Sequence, residues 1–251
     1  MKILITGSNG FIGRNLIERL KSDNIIYSFD INNTREDLQK YTADCDFVYN
    51  FAAVHRPKDT GEFDKINHIF FDDLLQMLKQ HGNYCNVLYT SSIQATNGSE
   101  YGNSKLAAER ELKLYEEETG GKAIIYRLTN VFGKWATPNH HSVVATFCYN
   151  LVHDLPITVS DPDHVMRFYY IDDVIESFAS QLNGAVTPDA DGFYRLEESK
   201  VYSITLGDLA NTLTRIKNEV NDKNLFSPKT DIEEKLYVTY MSYFNEKKGM
   251  Q

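Results

Sequence analysis

Cysteine is scarce in this sequence: Cys45, Cys85 and Cys148 are the whole complement of 251 residues. An odd number without a CxxC pair gives neither a disulfide framework nor a zinc site, so buried thiols in a reducing compartment are expected. His140 and His141 are adjacent, and neighbours one residue apart do not share a helix face, so no metal is expected. Proline (6) and glycine (14) are too few for a fibrous or linker-dominated chain. No apolar run approaches the roughly 18 residues of a membrane span. No signal-type apolar region precedes Gly7. A cytoplasmic protein without a membrane partner is the expectation. Positive charge is also in deficit, since 26 Lys+Arg against 35 Asp+Glu leave a net charge of −9. That excludes a general attraction for nucleic acid or anionic lipid. Anionic ligands must be held by helix N-termini or single arginines.

What is present is a globular composition, 42% hydrophobic and 24% charged, in which short β-rich runs alternate with helical stretches. Strands are expected at Ile3–Thr6, Ile25–Phe29, Phe47–Phe51, Val87–Thr90 and Ala123–Leu128. Helices are expected at Phe11–Lys21, around Ile66–Lys79 and at Tyr101–Glu118, the last ended by Gly120-Gly121. Strands alternating with helices of this length imply parallel βαβ units. After Gly133 the rhythm loosens. Helices are expected at Ser142–His153, Asp172–Leu182, Leu206–Val220 and Asp231–Phe244, with a strand near Phe168-Tyr169-Tyr170. The expected fold is α/β, a Rossmann-type doubly wound parallel sheet over residues 1–133. Residues 134–251 would form a small C-terminal substrate-binding lobe interleaved with the end of the sheet.

Three motifs carry chemistry. Thr6-Gly7-Ser8-Asn9-Gly10-Phe11-Ile12-Gly13 lies between the first strand and first helix. Glycines there permit the tight turn, the approach of backbone to a pyrophosphate, and close helix–strand packing, while the helix N-terminus supplies N–H donors. Gly7, Asn9, Gly10, Phe11, Ile12 and Gly13 are therefore candidate cofactor-binding residues. Asp30 ends the second strand, where a carboxylate holds ribose hydroxyls in NAD binders; Arg14 and Arg35 lie near enough to leave NAD against NADP open. The second motif, Tyr101-Gly102-Asn103-Ser104-Lys105, puts Tyr101 and Lys105 on one helix face. A cation beside the phenol favours the phenolate, which suits tyrosine to proton transfer. The third, Tyr89-Thr90-Ser91-Ser92, closes the fourth strand, and ligands in open α/β sheets sit beyond strand C-termini. Ser92 is placed to donate to a substrate oxygen.

Together these motifs resemble the extended short-chain dehydrogenase/reductases, and further residues resemble their nucleotide-sugar branch. Asn67 is similar to the family's structural asparagine. Arg127 to Gly133 (RLTNVFG) resembles the stretch that opens the substrate site, and Arg167 to Asp173 (RFYYIDD) the segment near the sugar-nucleotide diphosphate, with Phe168 in place of an acid. Ser91 to Thr96, Phe132 to Trp135, Ser142 to Tyr149 and Ala52 to Pro57 narrow the resemblance to reductases of capsular-polysaccharide precursor synthesis. That resemblance implies reduction of the C4 ketone of a UDP-4-keto-6-deoxy-N-acetylhexosamine, with Ser92, Tyr101 and Lys105 catalytic. Ala52 would join the cofactor site, and Arg56, Asn130, Lys134 and Arg167 would join Ser92 in binding the UDP-sugar. It implies NADPH as cofactor, with NADH kept open by Asp30. Such reductases also carry a C-terminal cupin domain, which would begin where this chain stops.

Alternatives from other classes are a 4-epimerase or 4,6-dehydratase that retains NAD, and a non-catalytic NAD(P)-binding protein. A dehydratase needs a carboxylate after the serine, where this chain has Ile93 and Gln94. Relatives pair the helices containing Asn67 and Tyr101 with a twofold copy. Ile69, Phe70, Leu74, Leu106, Leu112 and Tyr115 are the apolar residues expected to serve such a homodimer.

Overall fold

The computed structural model describes residues 1–53, 61, 63, 65–140, 142–223 and 225–249. Arg56 and His141 lie outside the described residues. The fold divides into two compact units, Met1–Leu128 with Ile175–Arg195, and Thr129–Val174 with Leu196–Gln251. The chain thus passes between units three times, where the sequence suggested one boundary after Gly133.

The first unit holds a five-stranded parallel sheet in the order β2-β1-β3-β4-β5. Its strands are β1 (Lys2–Thr6), β2 (Ile25–Phe29), β3 (Phe47–Asn50), β4 (Asn86–Ser92) and β5 (Ala123–Leu128). Its helices are α1 (Phe11–Leu20), α2 (Arg35–Thr42), α3 (Phe70–Gln80) and α4 (Glu100–Thr119). A π-helical turn, Lys65–Ile69, leads into α3, and a 3₁₀ turn, Ile93–Thr96, follows β4. β1, β3 and β4 are buried almost throughout, with apolar runs at Ile3–Ile5, Phe47–Tyr49 and Val87–Tyr89, as parallel strands covered on both faces require. Leu4, Val48, Val87, Tyr89 and Ile125 of the sheet form one core with Phe71, Leu74, Leu75 and Leu78 of α3 and with Ala108, Leu112 and Tyr115 of α4. Each of the Val, Leu, Ile and Phe side chains contributes about 1.5–3 kcal/mol by leaving water. The order reverses between β1 and β3, which makes the C-terminal ends of these two strands the crevice where doubly wound sheets bind ligands.

The three apolar residues Leu74, Leu112 and Tyr115, expected on an intersubunit face, are instead fully buried in this unit's own core. The apolar stripe of each helix is used against the sheet. Among the described residues, Ile69 and Leu114 are the exposed large apolar residues on this π-turn and α4, at 53% and 47% of full exposure.

Helix α2 was not evident from hydrophobic periodicity, because REDLQKYT buries only Leu38 and Thr42. Its start is nonetheless encoded, for Thr34 and Asp37 form a reciprocal capping box.

The second unit contains a three-stranded sheet of β6 (Asn130–Phe132), β7 (Val165–Tyr170) and β8 (Val201–Thr205), parallel between the first pair and antiparallel between the second. Helices α5 (Val143–Val152), α7 (Leu206–Lys223) and α8 (Asp231–Gly249) pack on one another. They bury Phe147, Cys148, Leu213, Ile216 and Tyr240. Helix α6 (Ile171–Ser180) carries the chain from this unit back to the first. No helix among the described residues is long and apolar enough to cross a membrane. Cys45 and Cys148 are buried and Cys85 half-buried; all three are free, with the Cys45 and Cys85 sulfurs 3.9 Å apart.

Candidate active site

The glycine loop is built by close approaches that exclude side chains. Gly7 has φ of +63°, and a Cβ there would lie 2.8 Å from the Ala52 nitrogen. A Cβ on Gly13 would lie 2.3 Å from the Gly7 carbonyl oxygen, so helix α1 can start against the loop only with glycine at this position. Thr6 Oγ1 donates to Asn50 Oδ1 and accepts from the Ala52 N–H, which ties the ends of β1 and β3 together. Gly10 is the N-cap of α1 and makes no side-chain cap, and no acid lies in the first turn. The first N–H groups of α1, with their positive dipole end, therefore remain suited to an anion. A cradle that a Cβ would fill, beside an uncapped helix start, fits the diphosphate of a dinucleotide.

Asp30 stands beside this loop. One carboxylate oxygen accepts from the Asn9 N–H (2.7 Å) and the other from the Ile31 N–H (2.8 Å). Arg35, one of the two basic residues that kept NADP open, forms a two-point ion pair with Asp73.

Ser92, Tyr101 and Lys105 come together at the end of β4. Ser92 Oγ accepts from the Gln94 N–H at 3.1 Å and caps the 3₁₀ turn. Ser99 Oγ accepts from the Gly102 N–H and starts α4. Gly102 was not singled out in the sequence, although the turn depends on it. A Cβ there would lie 2.2 Å from the Gln94 carbonyl oxygen, so glycine lets α4 dock against the turn that carries Ser92. Asn67, fully buried in the π-turn, donates to Ser104 Oγ at 3.2 Å, and Ser104 Oγ donates to the Tyr101 carbonyl. The ring of Phe63 meets the Tyr101 ring edge-on at 5.7 Å.

The electrostatics differ from the sequence expectation. Burial pushes the Tyr101 phenol up to about 12, with a hydrogen bond from Ser92 opposing the rise. The expected depression of the phenol by Lys105 is therefore not found, because desolvation dominates. Lys105 is itself only 2% exposed; its Nζ donates to the Thr90 carbonyl at 2.9 Å and lies 4.8 Å from the Tyr89 ring centroid and 5.9 Å from that of Tyr101. Burial brings its pKa down to about 7, with the Glu109 charge acting upward. The pair is a protonated phenol beside a lysine poised at neutrality.

The expected substrate residues Asn130, Lys134 and Arg167 all lie in the second unit. Asn130 Nδ2 donates to the Arg167 carbonyl (3.4 Å), and the Arg167 guanidinium donates to Glu198 at 2.5 Å. Lys134 Nζ lies 4.8 Å from the ring centroid of Trp135.

The sequence profile of the NAD dependent epimerase/dehydratase family matches residues 3–189. A UDP-2-acetamido-2,6-beta-L-arabino-hexul-4-ose reductase from Pseudomonas aeruginosa is 35% identical over 98% of this chain and 66% of its own length. The crystal structure of the capsular polysaccharide assembling protein CapF from Staphylococcus aureus is similar, with a TM-score of 0.86 and 33% identity over 98% of this chain and 66% of that one. The chain thus spans just under two thirds of these relatives. A UDP-glucose 4-epimerase from Thermotoga maritima, 20% identical with a TM-score of 0.78 over 98% of this chain and 99% of that one, shares the fold.

Proposed function

This chain belongs to the NAD dependent epimerase/dehydratase family, and from that premise we propose that it reduces the C4 ketone of a UDP-4-keto-6-deoxy-N-acetylhexosamine for cell-surface polysaccharide synthesis in the cytoplasm. The observation that carries this reading is the convergence of Ser92, Tyr101 and Lys105 at the C-terminal end of β4, a hydroxyl, a phenol and an amine where a ketone oxygen can be held and protonated. The similarity to the Pseudomonas reductase along nearly the whole chain supports the substrate class.

Gly7, Asn9, Gly10, Phe11, Ile12, Gly13, Asp30 and Ala52 would hold the dinucleotide. When bound, a reduced nicotinamide supplies the hydride. Ser92 orients the ketone by donating to its oxygen. Tyr101 donates its phenolic proton to that oxygen as negative charge develops there. Lys105 in its ammonium form stabilises the phenolate left behind and holds the nicotinamide ribose. Arg56, Asn130, Lys134 and Arg167 are assigned to the nucleotide-sugar. The resemblance implies NADPH, but the fixed Asp30 carboxylate and the commitment of Arg35 to Asp73 favour NADH, because a 2′-phosphate would meet negative charge.

Protein mixed with this keto-sugar and either reduced cofactor is expected to bleach the nicotinamide absorbance, with NADH at least as effective as NADPH. Folded protein that bleaches neither cofactor overturns the assignment. Interconversion of 4-epimers without net oxidation of cofactor would mark an epimerase instead.

We further propose a homodimer formed through the π-turn, α3 and α4. Leu106 and the exposed Leu114 lie on one stripe of α4, and Ile69 is exposed at the start of α3. Light scattering is expected to give twice 28.8 kDa; a mass equal to one chain at high protein concentration removes the dimer.

A further inference from the structure

We propose that Glu109 is a positioning residue of this site, its buried carboxylate opposing proton loss from Lys105 while joining the helix that carries Tyr101 to the strand that ends at Ser92. Glu109 is 2% exposed although it lies on a highly charged helix. Its Oε1 accepts from Ser91 Oγ (2.5 Å) and Arg127 Nε (2.9 Å), and its Oε2 accepts from Arg127 Nη2 (2.6 Å). Ser91 immediately precedes Ser92, and Arg127 is its register partner across the β4–β5 ladder. One carboxylate therefore joins α4, β4 and β5 directly behind the site. The Arg127 guanidinium stacks on Phe193 at 3.8 Å, which fixes its plane.

The position of this carboxylate is what gives it a role beyond packing. Lys105 and Glu109 are at i and i+4 on α4 and so share a face. Arg127 reaches Glu109 from β5, whereas Lys105 leans over Tyr89 and the Thr90 carbonyl of β4. Among the described residues, the titratable groups around Lys105 are Tyr101 and Glu109 on its own helix and Tyr89 on β4; those around Glu109 are Lys105, Tyr89 and Arg127. Burial holds both phenols protonated at neutral pH, and a guanidinium does not deprotonate. Lys105 is then the member that titrates near neutrality, and Glu109 is the anion that opposes its loss of a proton.

The test is an NMR titration of protein carrying ¹³Cε-labelled lysine, with the Lys105 signal assigned by its absence in Lys105→Met. In the wild type its midpoint is expected near 7. In Glu109→Gln it is expected to fall by about one pH unit or more, the usual effect of losing a nearby opposite charge, and Glu109→Asp should restore it. An unchanged midpoint in folded Glu109→Gln overturns the proposal. Should that variant fail to fold because it strands Arg127, the double variant Glu109→Gln/Arg127→Met removes both charges, and a smaller fall is expected, because losing the Arg127 cation favours the Lys105 ammonium. The kinetic consequence rests on the reductase reading. The basic limb of kcat should move down with the NMR midpoint, and turnover should recover when the variant is assayed at lower pH, which a purely structural lesion would not allow. A midpoint that moves without the kinetic limb supports the Glu109 assignment and overturns the role given to Lys105 in reduction.

Discussion

Tyr101→Phe is expected to lower kcat by about 10²–10⁴-fold while the protein keeps its fold. The substitution removes one oxygen and leaves the ring that packs against Phe63, so thermal stability should change by less than about 1 kcal/mol. Affinity for the dinucleotide should change little, because the glycine loop and the β1–β3 crevice are untouched. The pH profile adds a second check. A phenol held near 12 stays protonated throughout the usual assay range, so the loss of wild-type turnover above neutrality should follow Lys105 and not Tyr101. Steady-state kinetics of Tyr101→Phe with near-normal kcat would make the tyrosine structural and assign the proton transfer to another group.

How much of this was legible in the sequence depends on whether each residue's constraint is local. Gly13 could be read because backbone only a few residues away, at Gly7 and Ser8, forbids a Cβ, and Gly7 because its own turn takes a positive φ, although the atoms that exclude a Cβ there come from Phe51 and Ala52. Tyr101 and Lys105 could be read because i and i+4 share a helix face. Ser92 followed from its place at a strand end. Glu109 could not be separated from Glu111, Glu116, Glu117 and Glu118 on the same helix, because what turns it inward is Arg127, which belongs to a different strand. The one available signal was its spacing of four from Lys105. Strands β6 and β8 were missed for a related reason: they are short, and their pairing with β7 is non-local. Helical periodicity showed which apolar residues share a face on α3 and α4, but not that the sheet occupies Leu74, Leu112 and Tyr115. The direction of the Tyr101 shift was likewise beyond sequence, since it turns on how deeply the phenol is buried.

Lys105→Met should abolish most turnover and weaken cofactor binding, yet make the protein more stable at acid and neutral pH. A methionine keeps most of the buried stem and removes a charge that the interior disfavours. The folded-state pKa of Lys105 is about 7 against an ordinary 10.5. Between these values the unfolded chain holds a proton that the folded chain has released, so this group makes stability rise with pH across that window. Below about 7 the lysine is charged in both states and its full penalty is present; near 10.5 and above, the penalty has gone. One pH unit corresponds to about 1.4 kcal/mol. The loss of the hydrogen bond to the Thr90 carbonyl offsets about 1 kcal/mol of the gain. The variant should therefore exceed the wild type by about 4 kcal/mol at pH 6, and this advantage should shrink steadily toward pH 10. Because other titrating groups are common to both proteins, the difference between their urea unfolding curves isolates this lysine. A wild type more stable than the variant at pH 6, or an advantage that does not change with pH, would show that the lysine is not held against the cost of burial. The expected result is a site that gives up stability to keep a lysine poised at neutrality beside a proton-donating phenol.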